Sequence, residues 1–318
     1  MRTMVAVVMA LAWAAGFVRA QTPGEAALTP VAAAVERGTG SVDMVLVPDL
    51  ALDWSVWADF MARHEPDARM VAVTLPGFGG TNPPPEPGAM PEFDPQDDPP
   101  TPWVDNAVEA LAAVIEDKRL NRPIVVGHGF GALLAFRLAL DHPDLIGGVV
   151  ALDGAPATLL YPEPLPRAER TRSVTGALAA QFTRMSEDQW HERMRTMLRE
   201  GVHDEARAEQ LAAIAAKTPR DVGARYMLEY HLTDLTGRLR EIETPVLVLA
   251  AAGDVPVERV RGAERLHRAW YNYLAGLRDS EVVFLPGARH FVMDDAPDEV
   301  NQRIKRFLER VHPGEPAP

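Results

Sequence analysis

Three side chains and one missing side chain carry the chemistry that can be read from this chain. Pro123-Ile124-Val125-Val126-Gly127-His128-Gly129-Phe130-Gly131-Ala132 reads as a buried strand turning sharply into a helix. That is the setting of the G-x-S-x-G turn, in which a strained residue lifts a nucleophilic oxygen above a sheet. Gly127 and Gly131 flank the turn, but Gly129 holds the central place and has no atom with which to attack a carbonyl. Downstream, His290 lies in Pro286-Gly287-Ala288-Arg289-His290-Phe291, and Asp254 follows the apolar run Val246–Leu249. Histidine and carboxylate are side-chain types that general acid–base chemistry uses. Asp49, in Val47-Pro48-Asp49-Leu50, is the fourth.

These residues need elements to position them. Asp43–Val47, Arg69–Leu75, the elbow strand, Leu145–Leu152, Pro245–Ala251 and Glu281–Leu285 are short, β-branched apolar runs that predict strands. Helical spacing predicts helices at Trp54–His64, Trp103–Asp117, Phe130–Leu140 and Pro297–Val311. The alternation implies an α/β fold with a mostly parallel sheet and helices on both faces. Between Ala155 and Ile242 it breaks into helices at Ser173–Phe182, Ser186–Glu200, Asp204–Lys217 and Arg220–Leu232, the second opened by a Ser186/Gln189 capping box. The division expected is residues 1–20 as signal peptide, 21–154 as the first part of the core, 155–242 as a helical cap, 243–311 as the second part, and 312–318 as a loose tail. Thr81–Pro102 is dense in proline and acid and predicts a long loop.

From about Val42 to Leu308 the chain resembles the α/β-hydrolase superfamily, in its cap-bearing esterase, lipase and epoxide-hydrolase-like branch. The ordered set carries the resemblance: Leu75-Pro76-Gly77-Phe78-Gly79-Gly80-Thr81, the elbow with Ala135, Leu138, Ala139, His142-Pro143 and Leu145 after it, Gly253-Asp254, and the His290 loop. It implies an α/β-hydrolase fold whose cap is inserted before the strand that precedes the acid loop. It also implies His290 as base, Asp254 as its acid, Gly129 as a vacated nucleophile position, and an oxyanion-hole region at Asp49, Leu50 and Phe130. His128 is expected to pack beside the elbow. Asp294 and Asp295 read as a solvated helix entry, with either able to substitute as the acid. Asp49 departs from the small turn usual in the family. A carboxylate there opposes a developing oxyanion unless it turns outward or pairs with a nearby histidine.

Two readings of function follow. In the first, the chain is a pseudohydrolase that binds a small ligand or partner in the old pocket. In the second, His290 with Asp254 activates a water lodged above Gly129 to attack an ester or similar bond, with Asp49 holding that water. A remoter reading is NAD(P) binding through Gly127-x-Gly129-x-x-Ala132, with Asp153 placed for a ribose. No cofactor and no metal are expected. Trp190, Met194, Met197, Leu198, Tyr226, Met227 and Tyr230 are apolar candidates for a pocket lining, more often cap core at such spacing; Trp270, Tyr271 and Tyr273 read as packing residues.

The net charge of −13 opposes nucleic-acid binding, which needs a basic surface. Arg2, the apolar run Met4–Val18 and Val18-Arg19-Ala20 predict a cleaved signal peptide, hence a secreted or periplasmic protein with no stable membrane span after cleavage. The absence of cysteine leaves stability to a packed core.

Overall fold

The computed structural model describes residues 28–85, 99–159, 163–253 and 260–311. The expected signal peptide, most of the proline-rich loop, the tail and Asp254 lie outside these described residues. The elements run β1 (Ala33–Arg37), β2 (Val42–Val47), α1 (Ala58–His64), β3 (Ala68–Thr74), α2 (Pro102–Asp117), β4 (Ile124–His128), α3 (Phe130–Asp141) and β5 (Gly148–Leu152). Next come α4 (Arg167–Ser173), which passes through a π-helical turn at Val174–Leu178 into α5 (Ala179–Arg184), then α6 (Glu187–Gly201), α7 (Glu205–Ala215) and α8 (Arg220–Leu232). The chain returns to β6 (Val246–Ala251), α9 (Val260–Leu274), β7 (Ser280–Leu285), α10 (Val292–Asp295) and α11 (Pro297–Val311).

The seven strands form one sheet in the order β1-β3-β2-β4-β5-β6-β7. All neighbours are parallel except β1, which runs antiparallel against β3. The central strands read Val-Asp-Met-Val-Leu-Val, Ile-Val-Val-Gly-His and Val-Leu-Val-Leu-Ala-Ala, nearly unbroken apolar runs. A parallel sheet covered by helices on both faces selects such runs, because neither face meets water. The α/β-hydrolase architecture expected from the sequence is therefore present, with its helical cap between β5 and β6. The cap leaves and rejoins the core at one place: Leu235 N–H donates to Pro156 O at 3.0 Å, and Ala157 bridges Asp234. The Ser186/Gln189 capping box forms as predicted, opening α6.

Among the elements not anticipated are β1 and α9. β1 is a half-buried Ala-Ala-Val-Glu-Arg segment at the sheet edge, too short and alanine-rich to show strand alternation. Residues before β7 form α9, on which Trp270, Tyr273 and Leu274 are buried while Tyr271 is exposed.

Candidate active site

Strand order assembles the site. β2, β4 and β5 are adjacent, with Val47 paired to Gly127 and His128 to Leu152. Residues just past their carboxyl ends, Asp49, Gly129 and Asp153, therefore stand side by side. His290 arrives from the loop after β7, which is anchored to the cap by a Phe291 N–H to Gly201 O bond at 2.9 Å.

The elbow is built as the sequence implies. Gly129 has φ 51° and ψ −112°, a strained region that glycine adopts without steric cost. A Cβ at Gly131 would strike the carbonyl of Val47, which explains why the helix can approach β2 only through a glycine. What stands above Gly129 is a carboxylate. A Cβ built at 129 would collide with Asp49 Oδ1 and Cγ and would lie 2.8 Å from Oδ2. Asp49 thus fills the space a nucleophilic side chain would take. Its Oδ1 accepts the Phe130 N–H at 2.6 Å, the backbone donor expected to serve the oxyanion hole.

The other oxygen, Oδ2, accepts from His290 Nε2 at 2.9 Å, and His290 Nδ1 donates to Asp153 Oδ2 at 2.8 Å. Asp153 Oδ1 is held in turn by the Ala251 N–H at 2.8 Å. Asp153 has φ 42°, a conformation unfavourable for a residue with a Cβ, of the kind that surrounding contacts enforce at functional sites. The result is a chain of three groups, Asp153–His290–Asp49, with side chains 16%, 35% and 18% exposed.

Charge follows from this geometry. Burial alone opposes a charge on His290, but the hydrogen bonds and negative charges of Asp153 and Asp49 override it and hold the imidazole well above its usual range. Burial likewise raises Asp49, yet the His290 hydrogen bond and charge, His128 and the Phe130 N–H bring it well below the usual carboxylate range. The resting site is an imidazolium between two carboxylates. His128 is fully buried beside it, its ring centroid 4.4 Å from that of His290, and its Nε2 bonds the His290 carbonyl oxygen at 3.0 Å. Burial and the neighbouring imidazolium push His128 down to about 4, so it stays neutral. Asp49, His128 and His290 offer donor atoms within 4.8 Å of one another, the one set among the described residues with metal-ligand spacing. Asp49 and His290 satisfy each other within it.

The expected assignments sort clearly. His290, Gly129, Asp49, Phe130, Gly127, His128 and Gly131 converge on the site, and Leu50 lines the cavity above it. Asp153, which the dinucleotide reading placed on a ribose, instead orients His290. Asp254 lies outside the described residues, and the carboxylate seen on His290 Nδ1 is that of Asp153. The signal for it was present: Asp153 directly follows the buried run that forms β5. Asp294 and Asp295 do not act as the acid, nor are they a solvated entry. Asp294 pairs with Arg207 at 3.0 Å, and Asp295 accepts the His203 and Arg289 N–H groups at 2.9 and 2.8 Å. The space above Gly129 proposed for a water is occupied by Asp49 itself.

A cavity of about 750 Å³ opens over the trio between strand ends and cap. Leu50, Met194, Met197, Leu198, Met227 and Trp270 make its walls largely apolar, with Tyr230 near the carboxylates. Trp190 and Tyr226 do not line it. Both are buried in the cap and its seam with the core, Tyr226 donating its hydroxyl to Pro76 O at 3.1 Å. Trp270, read as packing, is a wall residue as well as a buried one. Tyr230 is held protonated by burial and by the facing charges of Asp49 and Asp153, so it meets a ligand as a neutral hydroxyl.

Known proteins agree with this architecture. A pimeloyl-[acyl-carrier protein] methyl ester esterase of Yersinia enterocolitica is 24% identical over 275 residues, covering 86% of this chain and 95% of its own length. A putative carbamate hydrolase, RutD, of Caulobacter segnis is 29% identical over 225 residues, covering 66% and 75%. Among solved structures, a thermophilic esterase from Thermogutta terrifontis matches with a TM-score of 0.62 at 20% identity, over 88% of this chain and 93% of that one. The model of the alpha/beta hydrolase family matches residues 44–303. With the parallel sheet, the glycine elbow and the histidine loop all in the family's order, the chain belongs to the alpha/beta hydrolase family.

Proposed function

We propose that this protein takes an elongated, apolar, ester-like molecule into its cavity and does not carry out serine-type acyl transfer on it. One observation carries the reading: the Asp49 carboxylate occupies both the nucleophile's space at Gly129 and the Phe130 N–H. An ester carbonyl placed there would find no attacking oxygen and a negative charge where its own oxyanion should develop. The size and apolar walls of the cavity suit a medium-length acyl or alkyl chain, in keeping with relatives that act on methyl esters.

The site is exchanged rather than decayed. A Cβ at 129 would collide with the Asp49 carboxylate, so Asp49 in this position requires glycine there. A decayed site would have no cause to keep three charged groups aligned at 2.8 and 2.9 Å, since buried polar groups left without partners are costly.

The test is a reciprocal exchange assayed with p-nitrophenyl octanoate. Wild type and Gly129→Ser are expected to be inert, the single variant because Asp49 crowds the new serine and withholds the Phe130 N–H. Gly129→Ser combined with Asp49→Gly is expected to exceed either by at least about 10²-fold, the order supplied by an oxyanion donor, and to lose that gain with His290→Ala. His290-dependent ester turnover by wild type, or covalent labelling of wild type by a fluorophosphonate, overturns the reading.

A further inference from the structure

We propose that Arg193, on the cap helix α6, is the recognition point for a carboxylate on the ligand, and that the cavity takes a medium-length apolar chain with this carboxylate at its cap end and an uncharged end at the trio. The inference rests on the cavity reading above and names the ligand class for it.

Arg193 lines the cavity beside Met194 and Met197. It is half-buried, and its Nε is shut off from solvent with no hydrogen-bond partner among the described residues. The other half-buried arginines of the cap are paired: Arg170 with Asp234, Arg207 with Asp294, Arg220 with Asp221 and Arg225 with Glu229. Arg193 has no such carboxylate among the described residues; its guanidinium carbon lies 5.9 Å from the centre of the Phe182 ring. Glu200, about two turns further along α6, is exposed at the cavity edge and does not pair with it. A guanidinium partly withdrawn from water has lost hydration, and its planar fork of donors matches a carboxylate. A ligand that brings one completes the pairing that the cap gives its other half-buried arginines.

His231, at the end of α8, lines the same cavity, and its Nδ1 is engaged with Thr158 Oγ1 at 3.2 Å. Burial and the Arg193 charge push its imidazole down to about 4, so it stays neutral. In the tautomer whose Nδ1 accepts from the threonine hydroxyl, Nε2–H is a second donor for the same anion.

Charge sets the direction of the chain. The trio holds two carboxylates against one imidazolium, so the strand-end side of the cavity is net negative. Arg193 supplies positive charge from the cap side. An anionic head is repelled at the trio and attracted at Arg193, which leaves the uncharged end over Gly129. One unpaired guanidinium balances one negative charge. A carboxylate brings one, whereas a phosphate monoester brings close to two.

The experiment titrates the full chain by calorimetry with two probes matched in length, methyl octanoate and monomethyl suberate, which differ by a carboxylate at the far end. Wild type is expected to bind monomethyl suberate about 10- to 100-fold more tightly than Arg193→Met does, the range for hydrogen bonds to a charged group. Methyl octanoate is expected to bind both proteins equally. Arg193→Glu should reverse the preference, favouring methyl 8-aminooctanoate over monomethyl suberate. Octyl phosphate should bind wild type more weakly than octanoate. No binding of monomethyl suberate to wild type overturns the proposal, as does equal affinity for it in wild type and Arg193→Met. Equal loss of both probes in Arg193→Met also overturns it, because that result marks a damaged cavity wall rather than a carboxylate site. Tighter binding of octyl phosphate than of octanoate overturns the choice of carboxylate. These failures leave the reading of the trio intact, since methanol release from either ester by wild type, lost in His290→Ala, is what overturns that one.

Discussion

Asp49 and His290 are defined by each other. Each shifts the other's protonation toward the charged form, and Asp153 adds to the effect on the imidazole. The sign of each contribution is fixed by its direction. His290 is raised, so its stabilising share is full below about pH 6.5 and lost only as pH climbs through its elevated folded value. Asp49 is lowered, so its share is present above about pH 3.9 and lost as pH falls through its depressed folded value. The pair therefore persists across neutrality. Long-range ¹H–¹⁵N spectra should show the His290 ring doubly protonated from about pH 6 to about pH 8, a range in which an ordinary histidine titrates. In Asp49→Asn the same resonance should titrate at lower pH than in wild type. A neutral His290 at pH 7 in wild type would contradict the ion-pair description.

At the level of elements, one buried carboxylate ties cap to core. Glu229 on α8 accepts the Trp103 and Val104 N–H groups at 2.8 and 3.0 Å through Oε2, and Arg225 Nε donates to Oε1 at 2.6 Å. The first turn of α2 has no side-chain cap of its own, so a residue 126 positions away supplies it. Burial raises Glu229, while the two backbone N–H groups and Arg225 work the other way. Removing the carboxylate strands two buried donors. Glu229→Ala is therefore expected to lose about 2–4 kcal/mol in urea unfolding, the range for breaking a buried, hydrogen-bonded charge. Glu229→Gln, which keeps an acceptor, should lose less. Equal losses would show that packing rather than capping carries the contact.

Across the whole molecule, the cavity joins cap and sheet, so a bound chain should stabilise both together. An octanoate methyl ester at about 100 times its Kd should add about 2.7 kcal/mol. At about 2.1 cal/mol/K of unfolding entropy per residue, that is a rise in Tm of roughly 4–5 °C for a domain of this size. Leu198→Asp, which places a charge in the apolar wall, should abolish the rise without touching the trio. A full rise in that variant would place the ligand elsewhere.

Much of this was written locally in the chain. The buried strands, the elbow, the capping box at Ser186 and the helices α2, α3, α6, α8 and α11 were legible because period, glycine placement and caps are short-range signals. His290 was legible from its loop motif. β1 was not, since an edge strand is defined by its partner β3 rather than by its own alternation. α9 carried a readable signal in the spacing of Leu266, Trp270, Tyr273 and Leu274, which the tyrosine- and arginine-rich context obscured. The amino-acid sequence by itself determined the family and the glycine at the centre of the elbow. Only the tertiary structure decided what stands above that glycine. Asp49, Gly129 and Asp153 are far apart in the chain and meet because β2, β4 and β5 are neighbours in the sheet. Whether a carboxylate repels, turns outward or fills an empty place depends on the partners within about 3 Å, and for Asp49 those partners come from the start of α3 and the loop after β7.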